Sequence, residues 1–276
     1  LDNVQRTGSF KFRGAISKMT SLSDKEKVNG VVTASTGNHG AACSLAMSLL
    51  GIKGKIVVPE NVHKNKVENI LNLGGEVEYF GDDCIHAEER AQEISKETGA
   101  VYISPYNDEA IVCGQATLGL EIEQELKNVD STFISVGGGG LIGGVGGYLK
   151  SINQQTKIYG VSPQNSCVMY ESIKANKQLD LPSKPTLSDG TAGGVEFGSI
   201  TFQLCKDIID DFTLVSEKEI IEGILIGIEK HHQLIEGAAG TAIAGFLKYK
   251  NNLIGKRVVI VMCGGNISSE VLKSIL

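Results

Sequence analysis

The chain has 276 residues, 41% apolar and 21% charged, the composition of a packed globular protein, which excludes bulk disorder and leaves room for one large core or two smaller ones. Its net charge of −6, with no basic run or basic–aromatic patch, argues against nucleic acid and anionic membranes as partners. No apolar run reaches the roughly 18 residues of a membrane helix, and six cysteines without a C-x-x-C pair point to reduced thiols and a cytoplasmic protein, not a disulfide frame or a zinc site.

In chain order, the opening LDNVQ reads as the tail of a strand. RTGSFKFRGA (6–15) follows, with Lys11 between Phe10 and Phe12 just after a Thr-Gly-Ser turn. Two readings are open for this lysine. It is a surface residue whose stem lies on apolar neighbours, or an amine in a dry pocket where desolvation makes it a nucleophile. Short runs, apolar on both faces, then recur at 31–34, 56–58, 77–80, 101–103, 133–136, 158–161 and 258–262. Each is followed by a helix-length segment, so the pattern predicts buried parallel strands and α/β architecture.

The loop after the first run, TASTGNHGAA (33–42), places Ser35, Thr36, Asn38 and His39 on one turn with glycines at 37 and 40. Such a turn either binds a carboxylate and a ring substituent or caps a helix. His63 and His86, in polar helical stretches, read as solvated. After the run at 133–136 comes SVGGGGLIGGVGG (135–147), whose consecutive glycines bare their N–H groups beside a helix start. That suits a phosphate or, alternatively, close packing of helix on strand. No Lys-Ser/Thr follows, so it is not a P-loop. SDGTAGG (188–194) needs backbone freedom and says little alone. Residues 217–232 read as a helix, with Ile220, Ile221, Ile224, Leu225 and Ile228 on one stripe, a capping box of Ser216 and Glu219, and His231 and His232 at the negative end. IEGAAGTAIAG, from Ile235, reads as a tightly packed helix start in which Glu236 orients a ligand or caps backbone. The last run leads into MCGGNIS (262–268), with Cys263 at the strand end, where α/β sites open or where a thiol simply packs.

The four stretches TGSFKFRGA, STGNHG, VGGGGL and CGGNIS, in this order, resemble the fold-type II pyridoxal-phosphate enzymes, specifically the serine/threonine dehydratase and serine racemase group. The likeness runs the length of the chain and implies that roughly 40–60 residues of a typical member precede Leu1 (a span the size of a domain's opening elements). It implies a tryptophan-synthase-β-like fold of two parallel-sheet domains, 1–27 with 108–276 and 28–107, with the cofactor between them.

By the same resemblance Lys11 is the lysine that carries pyridoxal 5'-phosphate, with Phe10 and Phe12 keeping it dry. Asn38 meets the ring hydroxyl, and Gly137, Gly138, Gly139, Gly140 and Leu141 hold the phosphate. Gly190 lines the cofactor, Ser35, Thr36, Asn38 and His39 bind the substrate carboxylate, and Cys263 faces the pyridine nitrogen. A neutral thiol there makes the ring a weaker electron sink than a carboxylate would, favouring loss of a β substituent. Two positions depart from the family. Ser162, Ser166 and Val168 stand where its divalent-cation site has carboxylates, so no metal is expected. Thr36 stands where racemases have a serine and many dehydratases an alanine, and its hydroxyl is on a stiffer, branched side chain. The expected activity is a lyase that dehydrates and deaminates L-threonine or L-serine, acting as a homodimer. The alternatives are an amino-acid racemase, a dehydratase of another β-hydroxy amino acid, and a non-catalytic binding module that kept the fold.

Overall fold

A computed structural model describes residues 1–62 and 64–276, and the side chains of these except 64–66. By the density of its packing the chain divides into two units, Lys11–Gly114 and Leu1–Phe10 with Gln115–Leu276. The boundaries expected from sequence lay at 27/28 and 107/108. The difference at the first arises because α1 (Lys11–Ser21) packs on α3 (Asn38–Leu50) and so counts with the shorter unit.

The shorter unit continues with α2 (Asp24–Asn29), then β1 (Val31–Ala34), α3, β2 (Gly54–Val58), α4 (Lys64–Asn72), β3 (Glu76–Tyr79), α5 (Cys84–Thr98) and β4 (Val101–Tyr102). Its strands pair in parallel in the order β3-β2-β1-β4. Side chains alternate across a strand, and both faces of this sheet are covered. Ile56 and Val58 therefore join Met19, Ala42, Ala46 and Ile103 on one side, while Val57 joins Val32, Ala87 and Ala91 on the other.

The longer unit takes up α6 (Glu109–Glu125) in large part, then β5 (Ser131–Ser135), α7 (Gly140–Ile152), β6 (Lys157–Pro163), α8 (Val168–Lys174), α9 (Ile200–Ile208), β7 (Asp211–Val215), α10 (Glu217–His231), α11 (Gly237–Tyr249), β8 (Val258–Ile260) and α12 (Ser269–Ile275). Its sheet is again parallel, in the order β7-β6-β5-β8. Phe133, Ile134, Ile158 and Val161 are fully buried in it, each contributing about 1.5–3 kcal/mol of burial. The expected capping box of α10 is present, Ser216 and Glu219 each closing on the other's backbone.

Three local expectations change. LDNVQ holds a 3-10 turn, Asp2–Val4, instead of a strand, because the N–H groups of Asp2 and Asn3 both donate to the single carbonyl of Met262 (2.9 and 3.0 Å). The last strand stops at Ile260. β7 was not foreseen: it is an edge strand with a mostly half-exposed pattern, so it never reads as an apolar run. Among the described residues no helix is long and apolar enough to cross a membrane.

Candidate active site

Each sheet has one point where the chain reverses its direction of strand addition, between β1 and β4 in one and between β5 and β8 in the other. Ligands of open α/β sheets bind beyond the carboxyl ends of strands at such switch points. The loops that leave these four strands are where the chemistry-bearing residues fall.

In the unit Lys11–Gly114, β1 ends at Ala34 and the loop Ser35, Thr36, Gly37 leads into α3, which begins at Asn38. Gly37 is its N-cap and makes no side-chain cap bond, so the N–H groups of the first turn keep their capacity for an anion. Ser35 Oγ accepts the N–H of Gly37 (3.3 Å), and Ser35, Thr36 and Asn38 are half-buried. Lys11 opens α1, and its Nζ donates to the carbonyl of Pro105, in the loop after β4, at 2.8 Å. Phe12, one residue on, packs against the unit's apolar core.

His39 does not stand with these half-exposed groups. It is buried, its Nε2 lies 3.0 Å from the Ile103 carbonyl, and Cys43 Sγ is 3.6 Å from the same nitrogen. A carbonyl only accepts, so Nε2 carries the ring proton. Burial, and then the charge of Lys11, lower its pKa to about 3, so the ring stays neutral. Burial likewise pushes the Cys43 thiol up to about 12.

In the longer unit, β5 ends at Ser135 and the glycine loop enters α7 through Gly139, in the left-handed region at φ +86° and again without a side-chain cap. A Cβ on Gly137 would stand 2.7 Å from the Thr191 carbonyl, and one on Gly139 2.6 Å from Cys205 Sγ. The loop therefore accepts no side chain at either position, and its face is backbone N–H at a helix start, with Gly140 and Leu141 as the first helical residues. Beyond β8, Cys263 is buried, with Sγ 3.5 Å from Ser135 Oγ. Burial and the charge of Glu236 push its thiol up to about 12, so it is neutral. Glu236, itself buried, caps no N–H of α11 with its side chain; it accepts the N–H of Asn266 (3.1 Å) and lies against Gly264. Gly190 is exposed, on a 3-10 turn, where an added Cβ would stand 3.5 Å from Glu236 Oε1. Phe10 is half-buried, and its N–H donates to the Cys263 carbonyl (2.9 Å). The chain passes from one unit to the other between Phe10 and Lys11.

At the positions expected to lack a cation site, Ser162 donates to the Val136 carbonyl (2.7 Å), Ser166 is bonded to Ser183 (2.7 Å) and Val168 is buried. His86 is exposed on α5 and bonded to Asp82 (2.7 Å); His63 lies outside the described residues. Ser135, Ser104 and Pro105 carried no functional signal in the sequence. Strand order is what picks them out, since β4 and β5 both border a switch point.

The family model described as pyridoxal-phosphate dependent enzyme matches residues 1–264. The chain belongs to this family. The enzyme is 40% identical to the L-threonine ammonia-lyase of Thermotoga maritima over 276 residues, all of this chain and 68% of that protein. Among solved structures it is similar to the processed form of threonine deaminase isoform 2 from Solanum lycopersicum, with a TM-score of 0.94 and 34% identity over 99% of this chain and 80% of that one. It is also similar to maize serine racemase, with a TM-score of 0.93 and 30% identity over 99% and 84%. The expected fold-type II architecture is thus met, the cofactor is pyridoxal 5'-phosphate, and the enzyme is a lyase of the ammonia-lyase type.

The residues present fit that cofactor. One loop has no room for a Cβ at Gly137 or Gly139 and leads its backbone into a helix start suited to a phosphate. One lysine amine sits on a carbonyl at the end of a switch-point strand, and one neutral thiol ends another.

Proposed function

We propose that the enzyme removes water and then ammonia from L-threonine or L-serine, leaving a 2-oxo acid. The water lost from Cα and Cβ is returned when the released enamine hydrolyses, so the net products are the 2-oxo acid and ammonia. Bound pyridoxal phosphate supplies the electron sink that lets the Cα–H bond break. Lys11 Nζ would hold the cofactor and, when free, would take the Cα proton. Backbone N–H groups of residues 137–141 would hold its phosphate, and Asn38 its ring hydroxyl. Ser35, Thr36 and the opening N–H groups of α3 orient the substrate carboxylate, with His39 a neutral support behind them.

The observation that carries elimination is the neutral, buried Cys263 thiol held by Ser135. A neutral thiol would offer a cofactor ring nitrogen no negative charge, which would make the ring a weaker electron sink and favour loss of a β substituent. Threonine as substrate is supported by the relative from Thermotoga maritima. Racemisation is a minor second activity, supported by the half-buried Thr36 and by the likeness to maize serine racemase. Six free thiols support a reducing, cytoplasmic setting, and the family resemblance supports a homodimer.

The test is turnover of a panel of L- and D-amino acids, with 2-oxo acid and enantiomers both measured. The expected result is 2-oxo acid from L-threonine and L-serine, faster than any change of configuration. D-serine formed faster than pyruvate, or no turnover of either hydroxy amino acid, overturns the reading.

A further inference from the structure

Lys11 is seated by residues that no stretch of sequence marks. Lys11, Gly14 and Lys18 fall at i, i+3 and i+7 of α1 and so share one face. Three contacts join that face, and the backbone beside it, to the segment running from β4 into α6. Lys11 Nζ donates to the Pro105 carbonyl at 2.8 Å. The helices cross so closely that a Cβ on Gly114 would stand 2.6 Å from Gly14 Cα and 2.5 Å from the Arg13 carbonyl. Lys18 Nζ pairs with Asp108 Oδ2 at 2.6 Å, each side chain only 20% exposed.

The other carboxylate oxygen of Asp108 accepts the N–H groups of Ala110 (2.8 Å) and Ile111 (3.1 Å). One side chain thus caps α6 and anchors α1. Between β4 and Asp108 the chain is bent by Ser104, which is buried and whose Oγ accepts the N–H groups of Asn107 (2.9 Å) and Tyr106 (3.4 Å). That turn directs the Pro105 carbonyl at the amine.

We propose that Ser104, Asp108 and Lys18 are positioning residues for Lys11, which they fix between α1 and the Pro105 carbonyl; the proposal rests on Lys11 being the cofactor lysine. A lysine side chain has four rotatable bonds, and a helix N-terminus does not attract a cation, so nothing in α1 alone would hold this amine in one place. The Pro105 carbonyl accepts one N–H of this amine and so gives it a fixed direction. The Lys18–Asp108 pair, one helical face along, keeps α1 from sliding or rotating away from that carbonyl. The same amine must both exchange with the substrate amine and take the Cα proton, so its placement bears on rate more than on substrate affinity.

The test compares wild-type holoenzyme with Asp108→Asn, Lys18→Met and Lys18→Arg. Asn caps a helix as well as Asp does, so Asp108→Asn removes the ion pair and spares the cap. Four quantities are read: kcat and KM for L-threonine, the rate at which the visible cofactor band returns when stripped enzyme is given pyridoxal phosphate, and the melting temperature. Asp108→Asn and Lys18→Met are expected to lower kcat and the rate of band return about fivefold, the scale of one partly exposed pair, with KM within about twofold. Lys18→Arg should recover most of both. Both rates unchanged in Asp108→Asn and Lys18→Met, or Lys18→Arg as impaired as Lys18→Met, overturns the seat. A cofactor band that survives in Lys11→Ala overturns instead the functional reading beneath it, and this is visible before the other variants are compared.

Discussion

The two sheets have the same strand order and the same switch point, yet they equip their loops in opposite ways. The loops after β1 and β4 are rich in polar side chains: Ser35, Thr36, Asn38 and, through Pro105, the amine of Lys11. The loops after β5 and β8 open on glycine-rich backbone that includes the neutral Cys263 thiol, with Asn266 and Ser268 further on. The difference follows from what each half has to meet. A phosphate is bound by many N–H groups at a helix start, and side chains there only obstruct. A reacting amino acid has to be turned, deprotonated and released, which takes side chains with specific donors and acceptors. On the proposed reading, one topology thus serves as a cradle in one unit and as a set of working groups in the other.

This contrast breaks first, and most heavily, at the cradle. Gly137→Ala puts a Cβ against the Thr191 backbone, and such overpacking costs about 1–3 kcal/mol. Pyridoxal phosphate should bind about ten- to hundredfold more weakly, measured by titrating the visible band. Gly37→Ala, at the corresponding loop of the other sheet, meets no atom within 4 Å and has φ −114°. It should change cofactor affinity less than about fivefold, the scale of an N-cap exchange. Equal losses in the two variants would erase the distinction between backbone and side-chain loops.

The polar half should also be the acid-sensitive one. His39 is held neutral with a pKa of about 3, while an unfolded histidine takes a proton near 6.5. The stability contributed by its burial is therefore complete above pH 6.5 and is lost as pH falls from 6.5 toward 3, by about 1.4 kcal/mol per unit. Urea midpoints of wild type and His39→Gln at pH 7 and pH 5 check this. The wild type should lose about 2 kcal/mol more than the variant over that interval, and parallel losses would show that His39 is not the group responsible.

A smaller effect is expected at Thr36. Thr36→Ala should abolish the racemase trace and leave elimination within about tenfold, a loss below ~1.4 kcal/mol of barrier. Thr36→Ser, with a freer hydroxyl, should raise D-serine formation. Unchanged enantiomer ratios in both would remove Thr36 from the proton path. The smallest effect is that of chelation. Ser162, Ser166 and Val168 bring no carboxylate, so EDTA should leave rate and melting temperature unchanged. A large loss restored by Mg²⁺ would place a cation site that these residues do not explain.

Much of this was legible in the sequence because some physical requirements leave residue-level marks. Buried parallel strands must be apolar on both faces, which marked β1, β2, β5 and β6. A capping box marked the start of α10, and the close approach of Thr191 and Cys205 to the loop after β5 requires the glycines at 137 and 139. The rest left no mark. β7 lies at a sheet edge and is mostly half-exposed, so DFTLV does not read as a buried apolar run. Pro105 contributes a carbonyl, which every residue has, and its aim is set by the turn at Ser104, far in sequence from the motif that holds Lys11. His39 sits within the polar loop in sequence, but the first turn of α3 directs its ring inward to Ile103. Side-chain direction of that kind is decided by packing.

The central claim is that the Lys11 amine carries the cofactor. Reducing the holoenzyme with borohydride, digesting it and locating the phosphopyridoxyl group by mass spectrometry tests this directly. The label should fall on the peptide containing Lys11 and be absent, with the visible band, from Lys11→Ala. A label on any other lysine, or a reducible adduct that survives Lys11→Ala, would contradict the account.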